Sequence, residues 1–291
     1  MDLFDKFQTV EIRASSRISQ EDKDCCERHQ AAYESALRSY AELLRVSMHL
    51  EEIRTKLPGG CRTYLLSERD VNINEYSVRN HLEDLQERFV DNIVRYFCDA
   101  YAVSIPCWNI NRALEEHDKD DIEGSTGETQ ELPEKTPIRY ESVVDLIFKE
   151  MDGRSFEEYA MYQLKNDCQE AIGVRGGYYE RRKAVLCFRG NFCYAMYRER
   201  YGYDNVEWNL NDNSKAILKA LAHFETGKFA DYPGPIARLV TNGTSNSELM
   251  EFYDCKKLEE LKLFKNGRMD IRFASPALAD AFEEAYLRRE A

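Results

Sequence analysis

The segment from Arg175 to Tyr203 interleaves basic and aromatic residues, and its side chains are the ones whose chemistry points to binding. Guanidinium and ammonium groups neutralise phosphates and aromatic rings stack on bases, so this composition suits single-stranded nucleic acid. Tyrosine and arginine are also favoured anchors of protein interfaces, so it suits a protein partner as well. The candidate partner-binding residues are Tyr178, Tyr179, Arg181, Arg182, Lys183, Arg189, Tyr194, Tyr197, Arg198, Arg200 and Tyr201.

A third interpretation of the same segment needs no partner. Its aromatic residues would form the core of a sheet, and its arginines would pair with the carboxylates that the chain has in excess. Lys and Arg number 40 against 53 Asp and Glu, which gives a net charge of -13. Such a charge argues against binding of duplex phosphates by the surface as a whole. The sequence therefore favours core packing or a protein partner over a nucleic acid.

The sequence lacks the short motifs that would identify an enzyme or a metal site. The five histidines are scattered, and no Cys-x-x-Cys pair occurs. Metal sites need such ligands in clusters. The Gly-rich phosphate-binding loops, the Gly-x-Ser-x-Gly motif of hydrolases and the motifs of methyltransferases are also missing. We therefore expect no cofactor and no metal, and name no catalytic residue. An enzyme of unrecognised type remains an alternative.

The nine cysteines and the hydropathy pattern indicate a cytoplasmic protein without a membrane partner. An odd number of cysteines in a chain of 291 residues does not resemble the disulfide framework of a short secreted protein. No apolar run approaches the roughly 20 residues that span a bilayer. The first residues carry no basic region followed by an apolar one, so no secretion signal is predicted.

Two long helices are predicted in the N-terminal part of the chain. Apolar residues return at helical spacing from Gln20 to Leu57 and again from Glu75 to Val103. Ser19 and Asp22 have the spacing of an N-terminal cap for the first helix. Two helices of this length joined by a short connection are expected to pack as an antiparallel hairpin.

An acidic stretch then separates this helical region from the rest of the chain. Between residues 113 and 136 carboxylates occur among Gly, Ser and Thr with almost no apolar residue. Such a composition buries too little surface to offset the entropy of ordering, so we predict a mobile loop or linker. A charged partner-binding segment is the alternative. The predicted division is a helical region 1–112, an acidic loop 113–136 and a mixed domain 137–291.

The C-terminal part mixes helix and strand patterns. Helical spacing covers residues 140–151, 156–172 and 214–225, whereas 183–188 and 206–210 have the composition of strands. Leu263 and Met269 lie in alternating stretches that flank Asn266-Gly267, which predicts a tight hairpin. Ser275 and Pro276 then begin a final helix. The predicted class is α+β, with the long helical hairpin followed by a small antiparallel sheet and a terminal helix.

Several of these features together resemble an uncharacterised domain family of phages, plasmids and integrative elements. The family is often fused to, or encoded near, adenine-specific DNA methyltransferases. The most specific part of the resemblance is Leu263 to Phe273, which is similar to the closing Phe-Lys-Asn-Gly hairpin of the family. Weaker similarities cover residues 28–50, 86–89, 182–186 and 218–227. Asp270 stands where the family tends to carry His, and the acidic stretch and a methyltransferase module have no counterpart.

The resemblance implies a mobile-element context and a helix-rich α+β fold. From it we expect a non-enzymatic binding protein of a phage or other mobile element, which inhibits a host defence or restriction complex by occupying a protein partner. The alternative is a nucleic-acid-binding accessory module that works with a DNA methyltransferase encoded separately and that binds single strands. The sequence leaves the oligomeric state open.

Overall fold

The computed structural model describes residues 17–56, 75–122, 137–173, 175–200, 203–229 and 231–288. The chain divides into two compact units by the proximity of its Cα atoms. Residues 1–100 and 104–155 form the first unit, and residues 101–103 and 156–291 form the second. The described part of the first unit is helical, and the second combines helices with antiparallel strands, so the predicted α+β class is confirmed.

The described N-terminal part of the chain consists of four helices, of which the first, second and fourth begin where the sequence predicts a helix and the third was not predicted. They are α1 (Gln20–Lys56), α2 (Glu75–Tyr101), α3 (Cys107–Ile122) and α4 (Tyr140–Glu150). Ser19 caps α1, because its hydroxyl accepts a hydrogen bond from the backbone N–H of Asp22 at 3.1 Å. The Asp22 carboxylate in turn accepts from the Ser19 backbone N–H at 3.0 Å. This reciprocal pair satisfies amides that the first turn of a helix leaves without a partner.

Helices α1 and α2 lie antiparallel, as predicted. The rings of Tyr33 and Phe89 stack with their centroids 4.4 Å apart. Further along α1, the ring of Tyr40 lies 5.8 Å from that of His81. A residue nearer the end of α1 thus contacts a residue nearer the start of α2, which is the pattern of antiparallel helices. Tyr33 and Phe89 are both buried, so the aromatic stack forms part of the core of this hairpin.

Helix α3 corrects the predicted extent of the acidic loop. The helix continues to Ile122, so the first part of the stretch predicted as the loop 113–136 is helical. Ile110 and Leu114 are buried four residues apart, and this short apolar face is the signal that the acidic composition obscured. Residues 123–136 lie outside the described residues. Helix α4, which the prediction assigned to the domain 137–291, falls within the first unit.

The second unit contains two antiparallel sheets with helices around them. Its helices are α5 (Phe156–Ala171), α6 (Asp212–Thr226), α7 (Gly234–Asn242) and α8 (Pro276–Phe282), followed by a π-helix (Glu283–Leu287). Its strands are β1 (Tyr178–Arg182), β2 (Val185–Arg189), β3 (Cys193–Arg200), β4 (Tyr203–Leu210), β5 (Thr244–Ser245), β6 (Leu249–Glu251), β7 (Leu258–Leu263) and β8 (Met269–Phe273). The five-stranded sheet has the order β1-β2-β8-β7-β6 and the three-stranded sheet the order β3-β4-β5.

One face of the five-stranded sheet forms the core of the second unit. Successive side chains of a strand point to opposite faces, so Leu186 and Phe188 share one face of β2 and Ile271 lies beside them on β8. All three are fully buried, and Ile217 and Leu221 of α6 belong to the same apolar cluster. Full burial of such a side chain contributes about 1.5–3 kcal/mol. This face is therefore a main source of the stability of the unit.

The predicted hairpin between β7 and β8 is confirmed. The N–H of Phe264 donates to the carbonyl of Arg268 at 2.9 Å, and the N–H of Gly267 donates to the carbonyl of Phe264 at the same distance. Gly267 has φ +82°, the left-handed conformation that the Asn-Gly pair predicts. The predicted cap of the last helix is also present, since the Ser275 hydroxyl accepts from the N–H of Leu278 at 3.3 Å.

Replacing Gly267 by valine is expected to lower the free energy of unfolding by roughly 1–3 kcal/mol. A Cβ at Gly267 would lie 3.3 Å from the Cα of Asn191 and 3.4 Å from the carbonyl oxygen of Cys193. The valine therefore meets both an unfavourable φ and a crowded surrounding. Denaturant titration followed by circular dichroism measures the loss.

Gly227→Val is the matched control in the same unit. Gly227 has φ +73°, and a Cβ there would meet nothing within 4 Å. This variant has the backbone strain without the crowding, so it should lose less stability than Gly267→Val. Equal losses for the two variants would contradict the close packing of the turn against Asn191 and Cys193.

Candidate functional site

The predicted binding residues are divided between the two sheets of the second unit. The β1–β2 hairpin carries Tyr178, Tyr179, Arg181, Arg182, Lys183 and Arg189. Strand β3 carries Tyr194, Tyr197, Arg198 and Arg200, and the side chains of these two arginines lie outside the described part of the structure. Tyr201 also lies outside the described residues. The segment from Arg175 to Tyr203 therefore contributes to two separate strand pairs, β1–β2 and β3–β4.

Two side chains of β1 hold the end of the chain against the sheet. The hydroxyl of Tyr179 donates to Oε1 of Glu283 at 3.2 Å, and Nε of Arg181 lies 3.7 Å from Oε2 of Glu283. Arg181 also forms an ion pair with Asp280. Burial, followed by the Glu283 carboxylate, raises the pKa of Tyr179. These contacts give Tyr179 and Arg181 a structural role in anchoring α8 and the π-helix.

The Glu180 carboxylate forms ion pairs with two further arginines of the hairpin. Its Oε2 lies 3.3 Å from the guanidinium of Arg182 and 2.9 Å from that of Arg189. Tyr178 lies opposite Arg189 in the strand pair and is half exposed. Lys183, in the turn at φ +55°, is exposed and forms no ion pair with any residue that the structure describes. Carboxylates of this chain thus already neutralise most of the positive charge of the hairpin.

Strand β3, in contrast, exposes large apolar side chains. Tyr194, Met196 and Tyr197 are 49%, 40% and 63% exposed. We call these three residues the β3 surface, of which Tyr194 and Met196 lie on one face of the strand and Tyr197 on the other. The ammonium of Lys265 lies 5.4 Å from the centroid of the Tyr197 ring, and a hydrogen bond with Tyr197 raises the pKa of Lys265. The β3 surface therefore combines amphipathic aromatic rings with a neighbouring cation, a composition typical of interface anchors.

The backbone of β3 also has an open edge. The strand pairs with β4 from Cys193 opposite Leu210 to Arg200 opposite Tyr203. Among the strands that the structure describes, no second strand pairs with it. An edge strand presents a row of N–H and C=O groups without partners, and proteins usually shield such a row by making it short or charged. Here the edge strand is eight residues long and carries the β3 surface.

Strand pairing brings together a polar cluster that the sequence analysis did not identify. Cys187 lies opposite Asp270 in the pair β2–β8. Nε of Arg268 lies 3.0 Å from Oδ1 of Asp270. The alternation along β8 places Asp270 on the face opposite the core, but the order of the strands, which makes β2 its neighbour, has no local signal in the sequence.

Several of the described cysteines have pKa values above the ordinary range of a thiol. Burial is the main cause, and it raises the pKa of Cys26 to about 12 and that of Cys255 to about 11. Burial, followed by the Asp270 carboxylate, also raises the pKa of Cys187. A nucleophilic cysteine needs a lowered pKa so that the thiolate is present. The environments of these three thiols are those of buried structural cysteines.

Comparison of the chain with protein-family models, with curated proteins and with solved structures finds no match. The resemblance to a mobile-element family stays a prediction. Within the described ranges, no group of three or more His, Cys, Asp or Glu side chains is placed to hold a metal ion. No described helix has both the length and the apolar composition to cross a membrane.

Replacing Arg181 by glutamine is expected to lower the free energy of unfolding by about 0.5–1 kcal/mol, since its ion pairs are partly exposed. A double-mutant cycle with Glu283→Gln should give a coupling energy of similar size, because the two side chains interact directly. Chemical denaturation of the four proteins provides the cycle.

Lys183→Gln is the control for Arg181→Gln, because it removes the same charge two residues away at an exposed position. Its effect on stability should be within about 0.5 kcal/mol. A coupling energy near zero, or an equal loss in Lys183→Gln, would contradict the anchoring of the π-helix by Arg181.

Proposed function

We propose that this chain is a non-enzymatic protein-binding module that engages its partner through β3. The observation that carries the proposal is the β3 surface on the open edge of an eight-residue strand. Recognition by strand addition needs unpaired backbone groups for affinity and exposed side chains for specificity, and β3 supplies both. Tyrosine is a suitable anchor here, because it buries a large amphipathic area at a small cost in side-chain entropy.

The charges of the β1–β2 hairpin support a protein partner over a nucleic acid. Arg181, Arg182 and Arg189 lie in ion pairs with carboxylates of the same chain. A phosphate backbone would have to compete with these carboxylates, and the net charge of -13 adds repulsion at longer range. Binding through the aromatic rings of β3 does not require any ion pair of the chain to break, since these rings are already exposed.

The expected occupant of the edge is an extended, acidic segment of the partner protein. Lys265 lies beside Tyr197, and in the sequence Arg198 and Arg200 flank Glu199 directly after the β3 surface. Glu199 and Asp204, which lies opposite it on β4, offset two of these three cations. The remaining single positive charge favours a carboxylate in the segment that pairs with this end of the strand. Electrostatic complementarity of this kind increases the association rate and fixes the register of the added strand.

The resemblance to the mobile-element family suggests which partner this is. In that context the proposed partner is a component of a host defence or restriction complex, and occupying it would inhibit the complex. The accessory module that binds single-stranded nucleic acid beside a DNA methyltransferase is the competing function, and the same set of variants tests it.

Tyr194→Ala and Tyr197→Ala are each expected to weaken the partner complex by on the order of 2 kcal/mol, with little dependence on salt. Affinity purification of the tagged chain from its native host provides the partner, and biolayer interferometry measures the affinities. Tyr253→Ala is the matched control, because Tyr253 is 85% exposed in the same unit but lies outside β3. A partner that is retained equally by all four proteins would contradict the assignment of β3.

Met196→Lys tests the addition of a strand, because a lysine on an edge disfavours pairing with another strand. We expect loss of the partner complex without a change in melting temperature. Combined replacement of Arg181, Arg182 and Lys183 by alanine should leave the complex intact. If instead the chain binds a single-stranded oligonucleotide, and this triple variant flattens the salt slope of log K by roughly 0.7 per lost contact, the accessory module is correct.

A further inference from the structure

Helix α1 carries a second row of apolar side chains besides the one that packs against α2. Val46 is 55% exposed and Ile53 is 38% exposed, so much of this row lies open to solvent. Its members follow one another at spacings of three, four and three residues and are Leu43, Val46, Leu50 and Ile53. We call these four residues the α1 stripe.

The α1 stripe is distinct from the face of α1 that α2 covers. Leu44 is fully buried and continues the face of Tyr40, whose ring contacts His81 of α2. Leu44 and the buried Ser47 each follow a member of the stripe by one residue. Successive residues of an α-helix are about 100° apart, so the two faces point in different directions. Packing of the helical hairpin therefore leaves the α1 stripe partly exposed.

The end of α1 also extends beyond α2. The stacked pair of Tyr33 and Phe89 fixes the register of the two antiparallel helices. In this register Glu75, the first residue of α2, lies level with Ser47. Helix α1 continues to Lys56, which is about 13 Å further at 1.5 Å per residue. The second half of the α1 stripe thus lies on a part of α1 that α2 does not reach.

The spacing of the α1 stripe is that of a coiled-coil seam. Apolar residues that alternate at three and four positions are the a and d positions of a heptad, and they pack between side chains of a second helix. Leu43 and Leu50 take position a, and Val46 and Ile53 take position d. A strand or an extended loop would not match this period, so the expected occupant of the stripe is a helix.

The charges beside the stripe indicate which helix this is. Glu42 and Lys56 are exposed and both take position g, which flanks the seam and sets the orientation of coiled-coil helices. Two copies of α1 that pack antiparallel place Glu42 of each copy beside Lys56 of the other, which gives two ion pairs about a two-fold axis. His49, the g position between them, lies beside its own copy at the axis. In a parallel pair, Glu42 would instead lie beside the uncharged Ser47 of the second copy.

The same antiparallel alignment matches the stripe with itself. Leu43 lies level with Ile53 of the second copy, and Val46 lies level with Leu50 of the second copy. Two-fold symmetry repeats both contacts, so every layer of the seam is apolar. Helix α2 begins level with Ser47, close to the centre of this alignment. The α2 helices of the two copies therefore lie end to end and do not overlap.

From these observations we infer that a second copy of this chain binds the α1 stripe and forms an antiparallel two-fold dimer. Glu42 is exposed and forms no ion pair within the part of the chain that the structure describes. Lys56 pairs with Glu52 of its own helix, but exposed pairs of this kind are weak and exchange readily. The seam is short, so we expect a dissociation constant on the order of 10–100 μM.

Sedimentation velocity of the full chain over a series of concentrations tests this inference, and we expect an equilibrium between monomer and dimer. Val46→Glu should weaken the dimer by about tenfold or more, because it places a charge in an apolar layer. Met48→Glu is the matched control. Met48 is 41% exposed and lies two residues from Val46, about 200° around the helix, so this variant should dimerise like the wild type.

Two charge reversals test the antiparallel orientation. Glu42→Lys alone and Lys56→Glu alone should each weaken the dimer by about threefold or more, because like charges then meet across the seam. An equimolar mixture of the two variants should recover the affinity of the wild type, since both ion pairs of the mixed dimer again join opposite charges. A loss of folding in either variant would not produce this recovery.

A chain that stays monomeric at about 500 μM would overturn the inference. Equal weakening by Val46→Glu and Met48→Glu, or a mixture of the two charge variants that does not recover, would overturn it too. A dimer that Met196→Lys abolishes and Val46→Glu leaves intact would place self-association on β3, and would likewise overturn it.

Discussion

Phe192 is the residue on which the arrangement of the second unit depends. Its ring is fully buried, with the centroid 5.5 Å from that of Phe188 in the core of the five-stranded sheet. Its N–H donates to the carbonyl of Gly267 at 2.9 Å, and its carbonyl accepts from the hydroxyl of Ser214. One residue thus fixes the β7–β8 turn, the first turn of α6 and the point where the chain leaves one sheet for the other. Burial of the ring stabilises this junction. The backbone N–H and carbonyl of Phe192 both have hydrogen-bond partners, so their burial carries little penalty.

The position of the β3 surface follows from this junction. Strand β3 begins at Cys193, whose thiol lies within 3.6 Å of the carbonyls of Phe264 and Arg268. The strand is therefore held at its first residue, while the β3 surface remains exposed. On the other side of the junction, Asn191 and the first turn of α6 line a polar cavity of about 530 Å³.

Features with a local cause could be predicted from the sequence, and features that depend on distant pairing could not. The period of apolar residues and the Ser19–Asp22 pair predict α1, and Asn266-Gly267 predicts the β7–β8 turn, because each signal lies within a few residues. The partners of Arg181, in contrast, are Asp280 and Glu283, about a hundred positions later in the chain. The sequence shows that arginines are present, but only the fold shows that carboxylates neutralise them. The same holds for the polar cavity beside the first turn of α6, since its residues come from α5, three loops and α6.

The most direct test of the central claim is hydrogen exchange of the β3 amides in the free chain and in the complex with its purified partner. If the partner adds a strand to the open edge, alternate amides within Cys193–Arg200 should exchange more slowly in the complex. The amides of the β1–β2 hairpin should exchange at an unchanged rate. Protection confined to that hairpin, with β3 amides that exchange as fast in the complex as in the free chain, would contradict binding through β3.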